Sequence, residues 1–333
     1  MMRELEIERQ FDIKIEEMIP NKGIYELNTD EGKKCLKKIN YGVQKLFFIY
    51  GAKEHLIKNG FKNIDRYYLN TEGNPYALVN EDIYTLSQWI KGRECDFYND
   101  EDIMLASKKL AELHLASEGY EPPENSKLKS DLCRWPYLME KRVNSFNKMK
   151  NMVRKKKNKK SQFDIEYIKY MDFYKDLGKQ SMEILKDSQY ESMCAEAEEK
   201  MSFCHHDYTY HNILIGENNE VNVVDFDYCK RELRVYDIAN FMTKVLKRRD
   251  WNMEISDLII NSYNSVSPLR EEEYRVLYAF LLFPQRFWRL CNRYYYNETT
   301  WIQNTFSKKM ESLVNEQEVY MEFLKEFKEK YDQ

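Results

Sequence analysis

The chain has 333 residues, 32% of them charged and 43% hydrophobic, with 26 Tyr and 17 Phe against 10 Gly and 7 Pro, and a net charge of -4. That length buries a sizeable core in one large domain or two lobes, which sets disorder aside, and 52 basic against 56 acidic residues argues against a surface built for nucleic acid. Apolar runs too short to cross a bilayer, a charged MMRELEIERQ start and seven cysteines without a C-x-x-C pair lead us to expect no membrane partner, a cytoplasmic chain and reduced thiols.

From Gly23, GIYELNTDEGKKCLKKI reads as two short strands about a turn at Asn28 to Gly32, because strand formers flank a cluster of turn residues. Val43, Leu46, Phe47, Tyr50, Glu54 and Ile57 then recur at helical spacing, which places Glu54 on an apolar stripe where a carboxylate needs a partner. The preceding strand offers Lys37 or Lys38; the alternative is a helix rotated so that Glu54 is solvated. PYALV (75–79) and IYTLSQWI (83–90) predict a second hairpin about Asn80-Glu81-Asp82.

Composition changes near Gly92, so a boundary is expected there, between residues 1–92 and 93–333. From Asp100, Ile103, Ala106, Leu110, Leu113 and His114 make one apolar helical face, and EPPENS stops the helix. A helical insert of about 130–200 carries the periodic segment Phe163 to Leu185 and the basic tract RKKKNKK (154–160). No aromatics interleave that tract, so it reads as a solvated tip between helices. Tyr274 to Tyr296 and Lys308 to Lys330 read as further helices.

The chemistry concentrates in MSFCHHDYTYHNILIGENNEVNVVDFDYC, residues 201–229. A short strand, Met201 to Cys204, leads to a polar loop, and Ile213 to Ile215 and Val221 to Phe226 form a hairpin about Asn218-Asn219. Asp207 and Asn212 stand at the two ends of the loop and Asp225 follows the second strand, so three oxygen-bearing side chains converge. Such a set suits Mg2+, which takes few carboxylates and fills its other positions with water and phosphate oxygens. The competing reading is a transition-metal site from Cys204, His205, His206, Asp207 and His211. It is weakened by the adjacency of His205 and His206 and by the lack of an H-x-E or C-x-x-C partner.

An H-x-D-x-x-x-x-N followed thirteen residues later by D-x-D has the spacing of a phosphotransferase catalytic loop and metal-binding motif. Together with YTLSQWIKGRECDF, LAELHLASEGY, YDIANF and LLFPQRFWRL, it makes the chain resemble the aminoglycoside phosphotransferase-like branch of the protein-kinase-like fold, and within it the CotS-type bacterial spore coat proteins. The resemblance covers nearly the whole chain. It implies an α+β, bilobal fold, with a small mixed-sheet N-terminal lobe for nucleotide and a large, mainly helical C-terminal lobe.

The resemblance further implies ATP and Mg2+ as cofactors, Asp207 as the catalytic aspartate acting on an acceptor hydroxyl, and Asn212 and Asp225 as the residues that hold the metal. Lys37 would be the phosphate-binding strand lysine, Glu54 its helix partner, and backbone near Trp89 and Ile90 the hinge that binds the base. Lys37 is preferred over Lys38 because small Cys35 then shares its face and leaves room for adenine. Asp227 is a candidate for a second metal, and Arg286, Trp288, Arg289 and Tyr294 to Tyr296, on the acceptor side, for shaping a pocket for an anionic or aromatic ligand.

Two features depart from the family pattern: His206 stands in the middle of the usual H-G-D, and no G-x-G-x-x-G is present, the first hairpin supplying Gly23 and Gly32. Two functions follow as expectations. One is an ATP- and Mg2+-dependent kinase acting on a hydroxyl of a small molecule or coat component, in the mother-cell cytoplasm with deposition in the spore coat. The other is a catalytically weak or inactive kinase-like assembly protein that contacts other spore coat proteins.

Overall fold

Tight turns with two positive-φ residues organise the strands, as the right-handed twist of antiparallel pairs demands. The computed structural model describes residues 2–157, 159–296 and 303–332. After α1 (Met2–Phe11), β1 (Ile15–Asn21) reverses at Lys22-Gly23 (φ 44° and 91°) into β2 (Ile24–Thr29), which turns into β3 (Gly32–Ile39). Helix α2 (Val43–Lys58) follows; then β4 (Ala77–Val79) and β5 (Asp82–Gln88) close about Asn80-Glu81 (φ 49° and 69°). The sheet has the order β1-β2-β3-β5-β4, and every ladder in it is antiparallel.

One face of that sheet packs Leu27, Leu36, Tyr84 and Leu86 against Ile7 and Phe11 of α1 and Ile13 after it. Strand alternation therefore sends Cys35 and Lys37 to the opposite face. A second, three-stranded sheet joins β6 (Arg93–Glu94) to β7 (Ile213–Ile215) and β8 (Val221–Val223), with Asn218-Asn219 at the turn, both at φ 61°. Between them in sequence runs α3 (Asp100–Ser117), capped by Asn99, whose side chain accepts from the Glu101 and Asp102 amides. His114 on this helix is buried.

The chain divides into two compact units, residues 1–130 with 200–231, and residues 131–199 with 232–333. The division does not run at Gly92. Arg93 and Glu94 pair with Ile215 and Leu214, and this ladder groups the 213–223 hairpin with the first ninety residues.

The second unit is helical: α4 (Trp135–Lys155), α5 (Gln162–Lys186), α6 (Tyr190–Glu199), α7 (Arg234–Leu246), α8 (Met253–Asn264), α9 (Glu271–Leu282), α10 (Gln285–Tyr296), α11 (Gln303–Asn315) and α12 (Gln317–Tyr331). Ser161 and Asp164 form a reciprocal capping box that starts α5. The same Asp164 takes Lys156 of the basic tract at 2.9 Å and the Tyr295 hydroxyl at 3.0 Å, so one cation of that tract is committed to helix packing. Asn158 of the tract lies outside the described residues. Tyr294 stacks on Phe163 at 4.0 Å, which places this part of the tyrosine-rich run in the aromatic core.

Candidate active site

A cleft of about 580 Å³ opens in the first unit between the inner face of the five-stranded sheet and the 210–227 segment. Cys35 and Lys37 of β3 and Thr85 and Ser87 of β5 line one side; Asn212, Asp225 and Asp227 line the other. Lys38, one residue on, points to the opposite face and pairs with Asp82 at 2.6 Å. Trp89 and Ile90 line the cleft where β5 leaves the sheet, and Gly92 follows at the contact with β7. A Cβ on Gly92 would stand 2.9 Å from the Ile215 carbonyl oxygen, so only glycine lets this connector lie against β7.

Charge in the cleft centres on Lys37. Its Nζ lies 2.8 Å from Asp225 Oδ1 and 2.9 Å from Asp227 Oδ2. Burial alone would pull the ammonium down, but the charges of Asp227 and Asp225 outweigh it and hold Lys37 above its ordinary value. In return, burial pushes the Asp225 carboxyl up while Lys37 holds it below the usual carboxylate range. Asp227 also accepts the Tyr41 hydroxyl at 2.7 Å; burial and then the Asp227 charge raise Tyr41, so it stays a donor. Burial, with Asp65 adding, pushes the Cys35 thiol up to about 11, so this wall of the cleft is neutral and small.

The loop before β7 is tied at both ends. His205, fully buried, has Nε2 3.0 Å from the Val224 carbonyl, and its Nδ1 lies 3.3 Å from the Asp207 amide. Asn212 donates from Nδ2 to the Asp207 carbonyl at 3.0 Å and reaches Asp207 Oδ2 at 3.4 Å, while its own carbonyl accepts the Val224 amide at 2.9 Å. Asp207 thus stands outside the cleft lining, joined to it through Asn212. Asp225 has φ 64°, a left-handed conformation costly for a residue other than Gly, Asn or Asp, which turns its carboxylate back toward Lys37.

Glu54, like Asp207, lies outside the cleft lining, and it is not joined to the cleft as Asp207 is. It forms a two-pronged pair with Arg66, at 2.9 and 2.6 Å, and does not line the cleft. Helix α2 is rotated so that Leu46, Ile49, Ala52, Lys53 and Leu56 face inward. Lys53, 1% exposed, holds the Asp65 carbonyl and Asp65 Oδ1, both at 2.9 Å, and lies 3.7 Å over the Tyr67 ring. Asp65 and Tyr67 line the cleft, so a buried pair exists here with its polarity reversed: the helix supplies the lysine and the following loop the carboxylate. The spacing of Leu46, Ile49, Lys53 and Leu56 is as helical as the stripe read from sequence, and it was the signal available for this pair.

The donor chemistry suits a hard divalent cation. Asp225 and Asp227 present carboxylate oxygens to one ammonium, which stands in for positive charge at that point, and Asn212 lines the same cleft. The candidate transition-metal residues do not converge in this way: His205 is engaged with backbone and His211 is exposed.

The family model described as "Spore coat putative kinase YutH" matches residues 4–327. Spore coat protein S of Bacillus subtilis (strain 168) is 26% identical over 314 residues, covering 92% of this chain and 87% of that protein. Endospore coat-associated protein YutH of the same organism is 24% identical over 222 residues, covering 65% and 61%. Among solved structures, an aminoglycoside phosphotransferase from Alicyclobacillus acidocaldarius has a TM-score of 0.84 at 18% identity, covering 98% of this chain and 96% of that one. A spectinomycin phosphotransferase in complex with ADP and spectinomycin has a TM-score of 0.68 at 13% identity, covering 97% of both. The fold is therefore the kinase-like fold of the aminoglycoside phosphotransferases.

Proposed function

The chain belongs to the YutH spore coat kinase family, and from that premise we propose that it is a protein of the spore coat that binds ATP with Mg2+ in the cleft and transfers a phosphoryl group to a hydroxyl. The acceptor is a small molecule or a coat component. The observation that carries this reading is the Lys37 ammonium held between Asp225 and Asp227, at 2.8 and 2.9 Å, in a cleft that also contains Asn212 and the Trp89–Ile90 connector.

Asn212, Asp225 and Asp227 would hold the metal, whose charge offsets that of the phosphate oxygens during transfer. Lys37, whose ammonium lies against Asp225 and Asp227, would pair with phosphate oxygens. The Trp89–Ile90 connector and neutral Cys35 would receive the base. Asp207, oriented by Asn212 and by its amide on His205, accepts the hydroxyl proton as the acceptor oxygen bonds to the γ-phosphorus and the bond to ADP breaks. The β1–β2 turn offers Lys22 as well as Gly23, and Asn21, Lys22 and Ile24 line the cleft, so side-chain charge there takes over part of what a glycine-rich loop does with backbone amides.

A second reading, a coat assembly protein with little or no catalysis, is favoured by that same turn, which holds a single glycine. Thermal unfolding decides between them. Mg-ATP at 100 times its Kd should stabilise the wild type by about 2.7 kcal/mol. The shift should vanish in Asp225→Asn and persist in Asp207→Asn, whose turnover should fall by about 10²-fold or more. A wild type that ATP does not stabilise in the presence of magnesium leaves the assembly reading standing.

A further inference from the structure

Cys133 and Cys194 meet in the helical unit although 61 positions separate them, a pairing that no spacing in the sequence announces. Cys133 lies just before α4, and Cys194 lies within α6. The Cys133 amide donates to Cys194 Sγ at 3.1 Å, and the two thiols are also in hydrogen-bond contact. The amide contact keeps the two Cα atoms within about 7 Å of each other, inside the span of a disulfide.

Two features hold the pair in place. Cys133 has φ 57°, a left-handed conformation costly for a residue with a Cβ, so the surrounding structure and not local preference turns its amide to the sulfur. Tyr190, the first residue of α6, accepts the Trp135 amide at 3.3 Å and hydrogen-bonds Cys194, which pins the start of α4 to α6. The two sulfurs differ in access. Of the seven cysteines, all among the described residues, Cys133 is the exposed one, and Cys194 is buried. Burial, with the Cys133 thiol adding, pushes the Cys194 thiol up to about 12, while the Cys133 amide and the Tyr190 hydroxyl act against it. An oxidant therefore reaches Cys133 first, and the sheltered neighbour is placed to resolve the product.

We propose that Cys133 and Cys194 form an oxidation site, at which hydrogen peroxide oxidises the exposed thiol and the buried one closes a disulfide that ties the start of α4 to α6. In the first step the Cys133 sulfur attacks a peroxide oxygen: an S–O bond forms, the O–O bond breaks, and water leaves a sulfenic acid. In the second, the Cys194 sulfur attacks the Cys133 sulfur: the S–S bond forms, the S–O bond breaks, and the hydroxyl leaves as water with the Cys194 proton. Two thiols are oxidised and one peroxide is reduced to two waters. The site does not rest on the phosphotransferase reading, so it is tested on the full chain without nucleotide or magnesium.

The protein is treated with hydrogen peroxide, its remaining thiols are blocked in denaturant, and tryptic peptides are mapped by mass without reduction. Peptides 130–134 and 187–200 should appear joined, lighter by two hydrogens than their sum, and should separate on addition of dithiothreitol. The oxidised protein should unfold about 4 °C or more above the reduced one, because the cross-link restricts the unfolded chain over the segment that contains α4 and α5. In Cys194→Ser with wild-type circular dichroism, no joined peptide should form and dimedone should label Cys133 as its sulfenic acid; in Cys133→Ser, Cys194 should remain a free thiol. A wild type in which Cys194 stays a free thiol while Cys133 goes on to sulfinic acid, pairs between chains or does not react overturns the proposal.

Discussion

Lys37 shows how one side chain links stability to ligand binding. It neutralises Asp225 and Asp227 at once, and the three side chains are 26%, 36% and 16% exposed, so the cluster is only partly desolvated. Lys37→Met leaves two carboxylates without their counterion. At pH 7 this should cost about 1–2 kcal/mol, less than a fully buried pair because solvent screens it. The pH dependence should change sign. In the wild type the lowered Asp225 carboxyl contributes stability that is present at neutral pH and lost as pH falls below the carboxylate range. In Lys37→Met burial raises the Asp225 carboxyl without its counterion to oppose it, so stability is lost as pH rises through that range. Urea titrations of the two proteins at pH 4 and pH 7, without divalent metal, read both effects. A variant that parallels the wild type at both pH values removes Lys37 from this role.

Helix α2 shows why elements are easier to find than to orient. Its inward face carries Leu46, Ile49 and Leu56, but Phe47 meets Tyr76 edge-on at 6.4 Å and Phe48 meets Tyr120 at 5.3 Å on other sides. A helix with apolar groups around most of its circumference gives a weak rotational signal, so the sequence leaves open whether Glu54 faces inward or is solvated. The observed rotation has a measurable consequence. Lys53→Met strands Asp65 in a buried place and should cost about 3 kcal/mol, whereas Glu54→Gln, next in sequence, breaks a surface pair with Arg66, whose side chain is 57% exposed, and should cost less than about 1 kcal/mol. Equal costs in chemical denaturation would contradict the rotation.

At the scale of the whole molecule, the cleft around Lys37 lies within one compact unit, residues 1–130 with 200–231. Under the proposed function, Mg-ATP should slow hydrogen exchange by about tenfold or more in peptides covering 20–40, 84–94 and 205–228. Protection confined to peptides of the helical unit would contradict that placement.

The H-x-D-x-x-x-x-N spacing, both predicted hairpins of the first ninety residues, and the helices from Asp100 onward were legible in the chain itself, because turn residues and hydrophobic period are local properties. Local chemistry likewise selected Lys37 over Lys38, since strand alternation fixes which residues share a face with Cys35. Pairing was another matter. That Lys37 meets Asp225 and Asp227, 188 and 190 positions away, that Glu54 turns to Arg66, and that Lys53 holds Asp65 are settled by how helix α2 and a β-ladder at Arg93–Glu94 pack. Sequence sets which side chains need partners; only the packed tertiary structure, where desolvation penalises every unpaired charge, decides which partners they receive.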